Sequence, residues 1–158
     1  MPSPAAEFVD RMGGALTQAG LPRLPSLVFS ALLVDDDGKM TSAELSSALE
    51  VSPASISGAV RYLTQVGMVR RERERGSRRD LYVVDDDAWH GTMMRRDQLY
   101  APMIAALSAG IGAMGEDSPA HERLVLTREF LQFVDEEMKS LAERWEQHRA
   151  AMTSGAAR

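Results

Sequence analysis

Residues 40–84, MTSAELSSALEVSPASISGAVRYLTQVGMVRRERERGSRRDLYVV, read as helix, turn, helix and then an arginine-laden hairpin. Thr41-Ser42-Ala43-Glu44 is a capping box, in which the side chains of Thr41 and Glu44 reciprocally satisfy backbone N–H groups left over at a helix start. It predicts a helix that ends near Glu50. Ser52 as N-cap and Pro53 at the first helical position, where its missing N–H costs nothing, open a second helix that Gly67 stops. Ile56, Val60 and Leu63 recur at i, i+4 and i+7 and share one buried face. The other face carries Ala54, Ser57, Gly58, Arg61, Tyr62 and Gln65, with no large aliphatic side chain among them. Such a face suits a major groove, where hydroxyl, guanidinium and amide groups reach base edges and phosphates.

Met68 to Arg75 and Leu81 to Val84 flank Gly76-Ser77, a turn signal between two runs able to pair as a hairpin. Between Ser52 and Val84 stand seven arginines (61, 70, 71, 73, 75, 78 and 79) against three acids (Glu72, Glu74 and Asp80). That local balance of +4 sits in a chain whose total is −5, leaving −9 elsewhere. Solubility alone does not call for a basic patch on an acidic protein, whereas a phosphate footprint does. Period-2 alternation puts Arg71, Arg73 and Arg75 on one strand face and Arg70, Glu72 and Glu74 on the other, so one face is expected to be purely basic. The alternative is a solvated edge strand whose charges blunt aggregation.

These residues resemble the MarR family of winged-helix regulators and, within it, the GbsR-like branch. The resemblance runs from about Leu24 to Val84 and is most specific in Val51-Ser52-Pro53-Ala54-Ser55-Ile56-Ser57, Leu63, Gly67-Met68-Val69 and Gly76-Ser77-Arg78-Arg79-Asp80. It implies a homodimeric transcription factor that binds double-stranded DNA, is usually a repressor, and is often released by a small lipophilic ligand. The residues expected at DNA are Ser52, Ser55, Ser57, Gly58, Arg61, Tyr62 and Gln65 on the second helix, with Arg73, Arg75, Ser77, Arg78 and Arg79 on the hairpin. Two departures stand out. Gly58 occupies a place where many members carry a groove-reading arginine, and Val83-Val84-Asp85-Asp86-Asp87 replaces the usual strand exit. Arg61 is the candidate to supply the missing guanidinium.

With 158 residues the chain is long enough for one real core, and it is read as a single domain, 1–158. Residues 22–84 form the winged helix-turn-helix and residues 1–20 and 86–150 a helical dimerisation arm. The fold class is mainly α with a small β-hairpin wing. Cysteine is absent, which excludes disulfides and thiolate chemistry. No apolar run is long enough to span a bilayer and no secretory signal is visible, so a cytoplasmic protein is expected. At the N-terminus Phe8, Met12 and Leu16 fall at i, i+4 and i+8 on a helix that Gly20-Leu21-Pro22 ends, and a second helix near Pro25 to Val34 packs beneath the reading head.

Asp85 to Asp87 should cap a long helix from about Ala88 that Pro102 kinks and Gly110, Gly112 and Gly115 weaken. Ser118-Pro119 restarts a last helix. There Leu131, Val134, Met138, Leu141 and Trp145, spaced 3, 4, 3 and 4, form a coiled-coil seam. It can pack within one subunit or between two. Phe8, Met12, Leu16 and this seam are the dimerisation candidates, and residues 150–158 read as a frayed tail. Two subunits would hold their reading helices about one turn of DNA, roughly 34 Å, apart over a pseudo-palindromic site. Leu32, Trp89, Met93, Tyr100 and Met103 are the candidates for a lipophilic effector site between the long helix and the helix of residues 25–34, with plain core packing as the alternative.

Catalysis finds no support. His90, His121 and His148 lack a ligand spacing, the carboxylates read as caps and surface charges, and no phosphate-binding glycine motif follows a strand, so no cofactor or metal is expected. The competing reading of a different class is a dimeric winged-helix adaptor whose arginines meet an acidic protein.

Overall fold

A computed structural model describes residues 3–73, 79–85, 89 and 97–156. Contacts cluster into two compact units, residues 1–92 and 93–158.

In the first unit, α1 (Pro4–Gln18) begins at Ser3, whose hydroxyl accepts from the Ala6 N–H at 3.2 Å, and leads to α2 (Arg23–Val34). The buried face of α1 is Val9, Gly13 and Leu16 rather than the expected Phe8, Met12 and Leu16. Strict i+4 steps drift around a helix, and the set that tracks one face steps by three and four. Phe8 is left exposed, Met12 half-buried, and Leu16 committed to the core of its own unit. Gly13 allows the close approach, since a Cβ there would lie 2.7 Å from Leu27 Cδ2. α2 runs through the centre, with Val28, Phe29 and Leu32 fully buried. Its buried Ser26 and Ser30 donate to the carbonyls of Pro22 and Ser26 at 2.9 and 2.8 Å, so neither hydroxyl is left unsatisfied.

The capping box opens α3 (Ser42–Ala48): the Glu44 N–H donates to Thr41 Oγ1 at 3.2 Å and the Thr41 N–H to Glu44 Oε2 at 2.7 Å. The Thr41 N–H first, and then the Thr41 hydroxyl donating to the same Oε2 at 2.8 Å, hold the Glu44 carboxyl below its ordinary value. The helix ends through Glu50, which adopts φ 53° while the Val51 N–H reaches the Ser46 carbonyl at 3.1 Å. That is the left-handed C-terminal turn which glycine normally fills. Ser52 then caps α4 (Pro53–Gln65), whose Ile56, Ala59, Val60 and Leu63 are buried. Gly67, at φ 77°, closes it as expected, with the Met68 N–H on the Leu63 carbonyl at 2.9 Å.

Among the described residues three strands, not two, form the sheet. β1 (Lys39–Thr41) joins β2 (Arg70–Arg73) and β3 (Asp80–Val83) in the order β1-β3-β2, all antiparallel. The hairpin turn, with Arg75, Ser77 and Arg78, lies outside the described residues. One core joins α1 to α4 and the sheet, and its fully buried Phe29, Leu32, Leu45, Ile56 and Leu63 contribute about 1.5–3 kcal/mol each.

The second unit holds α5 (Asp97–Met114) packed against α6 (His121–Ala156). The expected helix start near Ala88 lies outside the described residues, although Trp89 itself is helical. α5 runs through Pro102 and ends before Gly115, at φ 73°. The tail expected to fray from residue 150 is instead helical to Ala156. Ala150, Ala151 and Ala156 are strong helix formers and carry the helix on. No helix among the described residues is long and apolar enough to cross a membrane.

Candidate nucleic-acid interface

α4 presents the face its sequence promises. Ser52, Ser55, Ser57, Gly58, Arg61 and Gln65 are exposed, while Tyr62 is half-buried and packs against the core, so its ring is partly spent on the fold. Ser55 is drawn into the cap, its N–H donating to Ser52 Oγ at 3.2 Å and the two hydroxyls lying 2.9 Å apart. A Cβ added at Gly58 would meet nothing within 4 Å. Nothing among the described residues therefore requires a glycine there.

Beside α4 a cleft of about 390 Å³ opens towards the sheet, lined by Ser57, Val60, Arg61, Thr64, Gln65, Arg71 and Tyr82. Two guanidiniums, one from the helix and one from β2, thus stand on the same cleft. An anionic backbone running between helix and hairpin meets both.

The strand face expected to be purely basic is not. Opposed residues share a face, and Arg71 pairs with Tyr82 while Arg73 pairs with Asp80, so Asp80 lies on the arginine face, diagonal to Arg71. Arg71 donates to the Asp80 carboxylate, a hydrogen bond that holds Asp80 below and Arg71 above its ordinary value; Coulomb attraction adds to it, and Arg73 acts on Asp80 in the same sense. On the other face Arg70 pairs with Glu72 and, through Nε at 2.8 Å, with Asp85. These pairs are solvent-exposed, and such pairs are weak enough to be exchanged for phosphate. Arg79 is exposed just before β3.

The other candidate residues divide between the units. On α6, Leu131 is buried, Val134 and Met138 are half-buried, and Leu141 and Trp145 are exposed. A second group went unread in the sequence: Leu126, Phe130 and Phe133, at i, i+4 and i+7, are 72%, 61% and 61% exposed. Their spacing is itself the signal of a helical stripe, set apart from the heptad seam that begins at Leu131. Of the effector candidates, Leu32 is fully buried, Trp89 is exposed yet edge-to-face on Phe29 at 5.6 Å, Tyr100 is half-buried and Met103 exposed. Met93 lies outside the described residues.

A capped helix with a polar, solvent-facing side, set against a three-stranded sheet bearing arginines, defines a winged-helix DNA-binding protein. Comparison with known proteins makes this specific. A model of MmpR5-like MarR family transcriptional regulators matches residues 87–148, and one of the MarR family matches residues 19–80. The HTH-type transcriptional regulator MmpR5 of Mycobacterium tuberculosis is 32% identical over 117 residues, covering 74% of this chain and 71% of that protein. The putative HTH-type transcriptional regulator YvaV of Bacillus subtilis is 26% identical over 136 residues, covering 86% of this chain and 70% of its own. A crystal structure of a transcriptional regulator superposes with a TM-score of 0.79 at 29% identity, over 92% of this chain and 99% of that one. The chain belongs to the MarR family of transcriptional regulators, and it is a DNA-binding protein rather than an enzyme.

Proposed function

We propose that the protein is a cytoplasmic repressor that binds a pseudo-palindromic operator as a homodimer and releases it when a small lipophilic effector binds. The observation that carries this reading is the α4 surface: an exposed polar face of Ser57, Gly58, Arg61 and Gln65, with Arg61 and Arg71 on one adjoining cleft. Base edges are read by Ser57 and Arg61, and the remaining cations hold the backbone. The homodimer rests on Leu126, Phe130, Phe133, Leu141 and Trp145, large apolar side chains that a single chain leaves in water.

A mobility-shift titration tests it, using DNA flanking the chain's own coding region against random DNA across a salt series. With on the order of six to ten phosphate contacts per dimer, affinity falls by roughly 10³ to 10⁵ between low and moderate salt, and the flanking DNA wins at every salt. Equal affinity for both DNAs contradicts the repressor and favours the adaptor that meets an acidic protein.

A further inference from the structure

The two guanidiniums on the cleft beside α4 are not equally available. Arg61 is exposed on the helix and forms no ion pair among the described residues. Arg71, from β2, donates to the Asp80 carboxylate on β3. Its side chain is 61% exposed, so the carboxylate holds it rather than burial. Asp80 owes its place to strand register: opposite Arg73 and diagonal to Arg71, it attracts both arginines while standing outside the lining of the cleft.

A carboxylate on a surface that meets phosphates does more than staple a hairpin. An exposed ion pair stabilises the hairpin little, and an uncharged cross-strand pair does as much. Against DNA the same group repels the phosphates it faces and occupies the guanidinium that would answer one. The effect differs with the sequence bound. Random DNA is held through its phosphates alone, and Arg71 stays with Asp80. Where base edges meet Ser57 and Arg61, α4 seats in the groove. The backbone passing between helix and hairpin then enters the cleft, and a phosphate displaces the carboxylate from Arg71.

We infer that Asp80 is a specificity-determining residue of this interface, one that withholds Arg71 from random DNA and releases it only when α4 is seated on its site. The inference rests on the reading of sequence-specific binding and adds to it a residue that touches no base. Asp80 raises discrimination by weakening the wrong complex, not by strengthening the right one.

The test is a double-mutant cycle of Asp80→Asn and Arg71→Ala in the full chain, read by fluorescence anisotropy on random DNA and on DNA flanking the coding region, across a salt series. Asp80→Asn should tighten random DNA about fivefold to tenfold and steepen its salt dependence by about one phosphate contact, while the flanking DNA gains no more than about twofold. In the Arg71→Ala background the same substitution should change random-DNA affinity by less than about twofold. Equal gains on both DNAs, or a gain that persists without Arg71, overturn the inference. A loss on both DNAs, with a lowered thermal midpoint, makes Asp80 a staple of the hairpin and overturns it too. If the wild type prefers neither DNA, the sequence-specific reading fails and the specificity role falls with it, while the random-DNA arm of the cycle still decides whether Asp80 withholds Arg71.

Discussion

The two units of this chain bury their apolar surface in opposite ways. Around α4 the first unit closes a core in which Phe29, Leu32, Leu45, Ile56 and Leu63 lose all contact with solvent. On α6 the second unit leaves Leu126, Phe130 and Phe133 more than half exposed along one face. The first is finished by its own residues, and the second leaves an apolar face that the proposed homodimer would cover. A regulator built this way separates holding the reading helix from pairing two of them, so substitutions divide into those that melt the head and those that part the dimer.

The largest effect should come from the second unit. Phe130→Ser with Phe133→Ser leaves the first unit folded and converts the protein to monomer by analytical ultracentrifugation. DNA affinity then drops by roughly 10² to 10⁴, the advantage of linking two binding modules. A variant that stays dimeric breaks the comparison. In the first unit, Leu63→Ala opens a cavity in a closed core and costs about 2–5 kcal/mol by denaturant unfolding. A loss below 1 kcal/mol would mean that core is less complete than its burial shows.

Within the reading surface, Arg61→Ala should cost about 1–3 kcal/mol of operator affinity and relax sequence preference, as read by competition with random DNA. Equal loss on both DNAs would demote Arg61 to a phosphate contact. Gly58→Ala should move stability and binding in opposite directions. It gains about 0.5–1 kcal/mol of stability, because an alanine there meets no neighbour, and it weakens DNA binding by keeping the helix from the groove. The smallest effect is a pH dependence. Glu44 has a depressed value in the folded state, so its share of stability is present above about pH 4.3 and fades as pH falls through the folded value. The thermal stability of Glu44→Gln should lie below wild type at neutral pH and converge with it in acid.

What the sequence revealed follows the range of the interactions. The capping box at Thr41, the Ser52-Pro53 helix start and the Gly67 stop were legible because each is decided within four residues. β1 was not, since Lys39–Thr41 is too short to show alternation and becomes a strand only by pairing with residues some 40 positions away. The alternation of Arg71 and Arg73 was legible, but their acidic neighbour Asp80 arrives from the next strand, in a register that the turn sets and the arginines do not. On α1 the buried face was legible at Leu16 but not at Val9 and Gly13, because Gly13, which lets Leu27 come close, carries no hydrophobic signal of its own.

Sequencing the genomic fragments that the purified protein retains tests the whole reading most directly. Enrichment of a pseudo-palindrome with half-site centres about one helical turn apart is the result that paired reading helices require. Fragments enriched for a lone half-site, or no enrichment over input, would contradict the claim that α4 reads DNA in pairs.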